Sequence, residues 1–308
     1  MTNNLIENKM SRTNKLFMAV AKGRSTDVTE IKRYIGVAPV FINAVNPSKK
    51  ELESLYNTTV DNEPKYLGEV EVNEKKIPNV RIDFIVTTDE KAVNVGLRSR
   101  VSFFIRNEYR YNRDKTKVQV IDKYGRTAWV TIEQAKNHEI PIYSNGPANL
   151  DKDYRPIYYG EEQLTEFIKA YLGIPPVMKY VNDTWVITEH PEECEVRLDK
   201  IADYFKNDFS ELKEIITYQP NNKVKVLFGI RTTDDNKMYQ SVFTELFLKN
   251  SNTDYTKLAK VVKERKEAGA YATTEFEVCD LKEYVVKPTE LPASTPVDDD
   301  LPMSNPWE

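Results

Sequence analysis

Val80-Arg-Ile-Asp-Phe-Ile-Val86 places Val80, Ile82, Phe84 and Val86 at every second position, with Arg81, Asp83 and Ile85 between them. Successive side chains of a strand point to opposite faces, so this alternation predicts a strand with one face in a core. Arg98-Ser-Arg-Val-Ser-Phe-Phe-Ile-Arg-Asn-Glu-Tyr-Arg110 obeys the same rule. Val101, Phe103 and Ile105 fall on an apolar side, and Arg98, Arg100, Phe104, Arg106 and Arg110 fall on the other.

Further strands are expected at 37–45, 117–122 and 127–132. Ser48 and Glu51 have the spacing of a capping box ahead of a helix carrying Leu52, Leu55 and Tyr56. Leu164, Phe167, Ile168, Tyr171 and Leu172 recur at helical spacing, with Glu161 and Glu162 in the first turn, and predict a core-facing helix. Short helices are expected at 198–206 and 210–218, the second with Asp208 and Glu211 spaced as a capping box. A hairpin of 223–232 and 238–248 turns at Asp234-Asp-Asn236, an Asp254-capped helix covers 255–268 and ends at Gly269, and a closing strand covers 275–286. Ser25-Thr-Asp27 caps a short helix through Tyr34.

Strand-rich halves separated by single helices argue for an α+β fold. The expected architecture is an antiparallel OB-like β-barrel or half-barrel, formed by the five strands before the Glu161 helix and elaborated with several helices and a C-terminal hairpin. The expected organisation is a flexible arm at 1–24, a globular nucleic-acid-binding domain at 25–286 open to subdivision near 175–195, and a disordered acidic tail at 287–308.

Composition narrows the function. The longest N-terminal apolar run, 16–21, is too short for a leader or a membrane span, so a cytoplasmic protein with no membrane partner is expected. Two cysteines, Cys194 and Cys279, make neither a disulfide framework nor a thiolate metal site. His138 and His190 lack ligand spacing, so neither metal nor cofactor is expected. No glycine-rich phosphate loop or nucleophile elbow occurs, and the chain is read as a non-enzyme. A nuclease alternative rests on Asp83, Asp122, Glu161 and Glu162 as carboxylates for magnesium.

The net charge of −4 hides a segregation. Residues 98–126 hold nine basic side chains, Arg98, Arg100, Arg106, Arg110, Arg113, Lys115, Lys117, Lys123 and Arg126, against three acidic ones, a net charge of +6. Residues 287–308 carry one lysine against five carboxylates, a net charge of −4. A basic block beside an acidic tail suggests a polyanion site with a built-in competitor. Aromatic rings interleave with the cations: Phe104 on the polar face, Trp129 on the outward side of 127–132 with Thr127 and Thr131, and Tyr109, Tyr111 and Tyr124 near the turn. Cations neutralise phosphates while rings offer a π-face to bases, which is what single-strand binding needs. Lys152, Tyr154, Arg155, Tyr158 and Tyr159 either extend that groove or belong to a structural loop. The plain alternative is a charged hairpin whose arginine stems cover apolar surface.

The tail ends in Asp298, Asp299, Asp300, Leu301 and Pro302, with Trp307 beyond. This resembles the tail of single-stranded DNA-binding proteins, an acidic run followed by Ile-Pro-Phe or similar; Met303 to Glu308 are additional here. Together with the basic aromatic block it resembles phage replication single-stranded DNA-binding proteins. Ile121-Asp-Lys-Tyr-Gly-Arg-Thr-Ala-Trp129 and Tyr158-Tyr-Gly-Glu-Glu-Gln-Leu-Thr-Glu166 look like proteins of crAss-like bacteriophages. The resemblance implies a protein of the host cytoplasm that coats single-stranded DNA and recruits replication or recombination proteins. Asp298, Asp299, Asp300, Leu301, Pro302 and Trp307 would form the recruiting tip. The competing reading is a phage virion or scaffold component whose basic face meets DNA or another subunit.

Overall fold

The computed structural model describes residues 32–89, 96–139 and 150–285. The arm at 1–24, the helix expected after Ser25 and the whole tail with its recruiting tip lie outside the described residues. Tyr34, the expected end of that helix, opens a strand instead.

The strands are β1 (Tyr34–Val45), β2 (Leu67–Val72), β3 (Lys75–Thr88), β4 (Arg98–Tyr109), β5 (Lys117–Asp122), β6 (Thr127–Thr131), β7 (Tyr154–Pro156), β8 (Tyr158–Tyr159), β9 (Met178–Val181), β10 (Thr184–Ile187), β11 (Val224–Thr232), β12 (Met238–Val242), β13 (Leu248–Lys249), β14 (Thr274–Phe276) and β15 (Lys282–Glu283). The helices are α1 (Lys49–Tyr56), α2 (Ile132–Asn137), α3 (Glu161–Leu172), α4 (Ile201–Tyr204), α5 (Ser210–Tyr218) and α6 (Thr256–Glu267). The fold is α+β, and its main sheet is a curled antiparallel half-barrel in the order β12-β11-β1-β3-β4-β8.

The alternation read in β3 and β4 holds. Val80, Ile82, Phe84, Val86, Val101, Phe103 and Ile105 are buried on one face, against Leu164, Phe167, Ile168 and Tyr171 of α3. Phe167 stands 4.8 Å from Phe84 and 5.3 Å from Phe103, ring to ring, and Phe247 closes the group at 4.8 Å from Phe167. β1 and β11 are apolar on both faces. Ala38, Val40, Val226 and Phe228 join the α3 side, while Val37 and Leu227 pack on the reverse with Leu258 and Val262 of α6. Strands that must be covered twice take the centre of the sheet.

That requirement overturns one expectation. The strands before Glu161 do not make a barrel among themselves; β11 enters the main sheet beside β1, and β5, β6 and β7 form a separate three-stranded sheet. The latter closes over its own small core of Val118, Val120, Val130, Leu150 and Tyr154. Residues on both sides of 175–195, Tyr171 before it and Val196, Leu198 and Ile201 after it, enter the same core.

Local signals fare unevenly. The Ser48–Glu51 capping box forms in full. Asp208 accepts from the Ser210 amide at 2.9 Å, but Glu211 does not complete a box. Its carboxylate instead accepts the Asp199 and Lys200 amides at 2.8 and 3.1 Å, and the helix expected over 198–206 shrinks to α4. Thr131 and Gln134 form a capping box that starts α2, which the sequence reading missed, so Ile132 opens a helix at 36% exposure rather than ending a strand inside. The closing strand breaks in two because β1 and β11 diverge at Gly36: β14 stays with β11 and β15 follows β1. A Cβ on Gly36, at φ 120°, would sit 2.7 Å from the Asp280 carbonyl oxygen.

Glu161, in the first turn of α3, is buried rather than solvated. It takes two hydrogen bonds from the Arg155 guanidinium at 2.6 and 3.1 Å and one from the Tyr158 amide at 2.9 Å. Burial pushes its carboxyl above the ordinary carboxylate range, and Arg155 pulls it back. Arg155 thus has a structural role. Arg155→Met should cost about 3 kcal/mol of stability at pH 8, because it strands a buried charge. The loss should shrink at pH 5. Without Arg155 the folded carboxyl holds its proton to higher pH than the unfolded one, so the penalty grows as pH rises. Urea midpoints at both pH values check this, and an equal loss at both would contradict it.

Candidate nucleic-acid interface

The face of β3 and β4 opposite the α3 core is graded from covered to open. At its covered end α1 lies over Arg98, whose guanidinium donates to the Leu55 carbonyl oxygen and stands 5.3 Å from the Tyr56 ring centroid. Arg100 and Arg81 flank Asp83 at 3.5 and 3.1 Å, and the Ser102 hydroxyl donates to Asp83 at 2.8 Å. Asp83 is buried, and Asn46 fixes the adjoining backbone by accepting the Asp83 amide and donating to the Arg81 carbonyl. Arg98 and Arg100 are therefore engaged inside the fold.

The open end holds the rings. Phe104 is 57% exposed in mid-strand and makes no ring contact among the described residues. Two residues on, the Arg106 guanidinium lies 4.9 Å from the centroid of Tyr159, its cross-strand partner on β8. Arg110 lies 5.6 Å from Tyr159 and 6.0 Å from Trp129, and its guanidinium pairs with Glu162 at the start of α3. The row Phe104–Arg106–Tyr159–Arg110–Trp129 crosses from the main sheet onto the small one. Backbone bonds join the two sheets there: Arg110 donates to Ile157 at 2.9 Å, Gln119 to Arg110 at 2.8 Å and Ile157 to Gln119 at 3.0 Å.

Gly160 makes this junction. At φ 90° it presses against β4, where a Cβ would come within 2.0 Å of the Phe104 carbonyl oxygen. Only glycine permits that approach together with that backbone angle. Tyr159, its neighbour, completes the row, and the signal for it was the Tyr158-Tyr-Gly160 sequence ahead of an acidic helix start.

The other sequence-derived candidates scatter. Tyr109 stacks on Tyr158 at 5.0 Å, and burial raises the Tyr158 phenol above its ordinary value. Tyr111 bridges to Val118 at the start of the β4–β5 turn. Arg113 and Lys115 are exposed on that turn and Lys117 at the start of β5, and none of the three forms an ion pair among the described residues. Lys123, Tyr124 and Arg126 occupy the β5–β6 turn. Lys123 pairs with Glu195 at 3.1 Å, which holds its ammonium above the ordinary value. Arg126 pairs with the buried Asp122 at 2.7 Å, and the Tyr124 ring lies 5.0 Å from each of these two cations.

The four carboxylates of the nuclease alternative do not converge. Asp83, Asp122, Glu161 and Glu162 each pair with a different arginine, and among the described residues no three His, Cys, Asp or Glu side chains are grouped to hold a metal ion. No helix among the described residues is long and apolar enough to cross a membrane. No protein-family model, curated protein or solved structure matches the chain.

The two faces of β4 make opposite forecasts for neighbouring phenylalanines. Phe103→Ala should destabilise by about 3–5 kcal/mol through a core cavity. Phe104→Ala should change stability by less than about 0.5 kcal/mol, as at an ordinary surface position. Chemical denaturation of the pair tests this, and comparable losses would show that Phe104 is a core ring.

Proposed function

We propose that the chain is a non-enzymatic single-stranded DNA-binding protein of phage replication or recombination, and that its exposed ring–guanidinium row is the DNA-binding face. One observation carries this reading. An exposed Phe104 ring, with no ring contact among the described residues, shares its row with two guanidinium groups that lie over Tyr159 and Trp129. Rings on a sheet surface give up favourable burial, and a base laid on each returns about 1–3 kcal/mol. The guanidinium groups neutralise phosphates and stack on planar groups. The curled sheet is taken as an OB-like half-barrel, a platform on which successive bases spread. Arg113, Lys115 and Lys117 extend the positive field along the strand's path.

In the same reading the tail carries recruitment. Asp298, Asp299 and Asp300 compete weakly with DNA, and Leu301, Pro302 and Trp307 anchor a replication or recombination partner.

Salt dependence tests the face. Affinity for oligo(dT) should fall steeply with salt, with a log–log slope of about −0.7 per phosphate contacted. Arg106→Ala with Arg110→Ala should flatten that slope by about 1.4, the share of two contacts. Phe104→Ala should weaken binding by about 1–3 kcal/mol with the slope unchanged. Arg100→Ala should act differently, lowering stability by leaving the buried Asp83 with only Arg81 and Ser102 to offset its charge. An unchanged slope and affinity in folded Arg106/Arg110 and Phe104 variants would remove this face from the site.

A further inference from the structure

A second basic hollow opens beside the β5–β6 turn, with a volume of about 660 Å³. Its walls come from five parts of the chain: Tyr124 and Arg126 on the turn, Lys169 on α3, Lys249 on β13, Lys257 at the start of α6, and Trp185 on the β9–β10 hairpin. Among the described residues lining it, four cations face one carboxylate, Glu166. Glu166 is taken by Lys169 at 2.8 Å, and Arg126 by Asp122. Lys249 and Lys257 have no ion-pair partner among the described residues. Burial, with the charge of Lys169, holds the Lys249 ammonium below its ordinary value. The positive field in the hollow is therefore unbalanced, and an anion placed there would relieve it.

The rim is aromatic. Trp185 is 51% exposed and packs against Tyr180 across the hairpin at 5.3 Å. The hairpin is a two-stranded sheet of its own, so its rings are not drawn into the main core. The volume lies in the range of small-ligand sites, large enough for a nucleotide unit. Position links it to the first face: Arg126 and Trp129 are three residues apart, about 10 Å of extended chain.

We infer that this hollow is a second subsite for the same single strand, taking a phosphodiester against Lys249 and Lys257 and a base against Trp185 and Tyr124. The strand would leave the Phe104 face, follow β6 and enter beneath the hairpin. The inference rests on the single-strand reading above. It commits to nucleic acid rather than to an acidic peptide because stacking rings accompany the cations and the hollow continues a ring-lined path.

The three tryptophans, Trp129, Trp185 and Trp307, allow a test. The full chain with Trp129→Phe and Trp307→Phe keeps Trp185 as its one emitter, and Trp185→Phe with Trp307→Phe keeps Trp129. Oligo(dT) of about 20 nucleotides should quench Trp185 and lose that effect in high salt. Lys249→Ala with Lys257→Ala should weaken binding of the 20-mer about 5–10-fold at low salt and flatten its salt slope by about 1.4. Quenching of Trp129 with Trp185 silent would overturn the subsite and leave the first face standing. Silence of both would defeat the whole reading. A peptide of residues 296–308 with Trp307→Phe that shifts Trp185 emission when oligo(dT) does not would make the hollow a peptide site and overturn the inference. Ultraviolet crosslinking of oligo(dT) to the unaltered protein needs no substitution. Crosslinks at Tyr124 or Trp185 support the subsite, and crosslinks confined to Phe104, Trp129 and Tyr159 overturn it.

Discussion

Nine consecutive pairs, Asn79 to Thr87 against Arg98 to Arg106, lock β3 to β4 in antiparallel register. On one side this pairing assembles Val80, Ile82, Phe84, Val101, Phe103 and Ile105 into the surface that α3 covers. On the other it sets Arg81 opposite Phe104, Asn79 opposite Arg106 and Asp83 opposite Ser102. A slip of one residue would turn Arg81, Asp83, Arg100 and Phe104 into the core, at a cost no other contact here could offset. The core and the candidate site are thus two faces of one register. The packing of Phe84 and Phe103 on Phe167 holds Phe104 and Arg106 in place.

The same sheet decides which cations remain available. Nine basic side chains between 98 and 126 look equivalent in the sequence. Three of them, Arg98, Arg100 and Arg126, satisfy a buried carboxylate or carbonyl, as Arg81 does beside them. Moving such a group onto a phosphate would strand its internal partner, so it is a poor DNA contact. Lys123 pairs with Glu195 and Asp151 on the β5–β6 turn, Arg110 is shared between Glu162 and two rings, and the cations left to neutralise a polyanion are Arg106, Arg113, Lys115 and Lys117. The ring row lies among these.

Strand alternation and helical stripes were legible because they are local and enforced by one core. The Val80 to Val86 pattern, the α3 stripe and the Ser48–Glu51 box each span 12 residues or fewer. Topology was not legible. Whether β11 or β5 lies beside the early strands depends on both faces of β1 needing cover, a contact more than 180 residues away in sequence. Side-chain commitment was equally hidden: nothing near Arg98 names Leu55, and nothing near Glu161 says its partner is Arg155 rather than solvent. Tyr159 joined the row only through the approach of Gly160 to β4. The β5–β6 turn carried its aromatic and basic residues to a different hollow.

A surface built from rings and guanidinium groups on an open sheet should discriminate by strandedness, since a duplex hides the base faces that stacking needs. A phosphate-reading face, such as that of a virion or scaffold component on packaged DNA, would not. The direct measurement is competition between oligo(dT) and a duplex of equal length for the unaltered protein, at two salt concentrations. The account predicts that the single strand wins by at least about tenfold, with the preference persisting as salt rises because stacking is not screened as charge is. Equal affinity for both forms, lost together as salt rises, would contradict it.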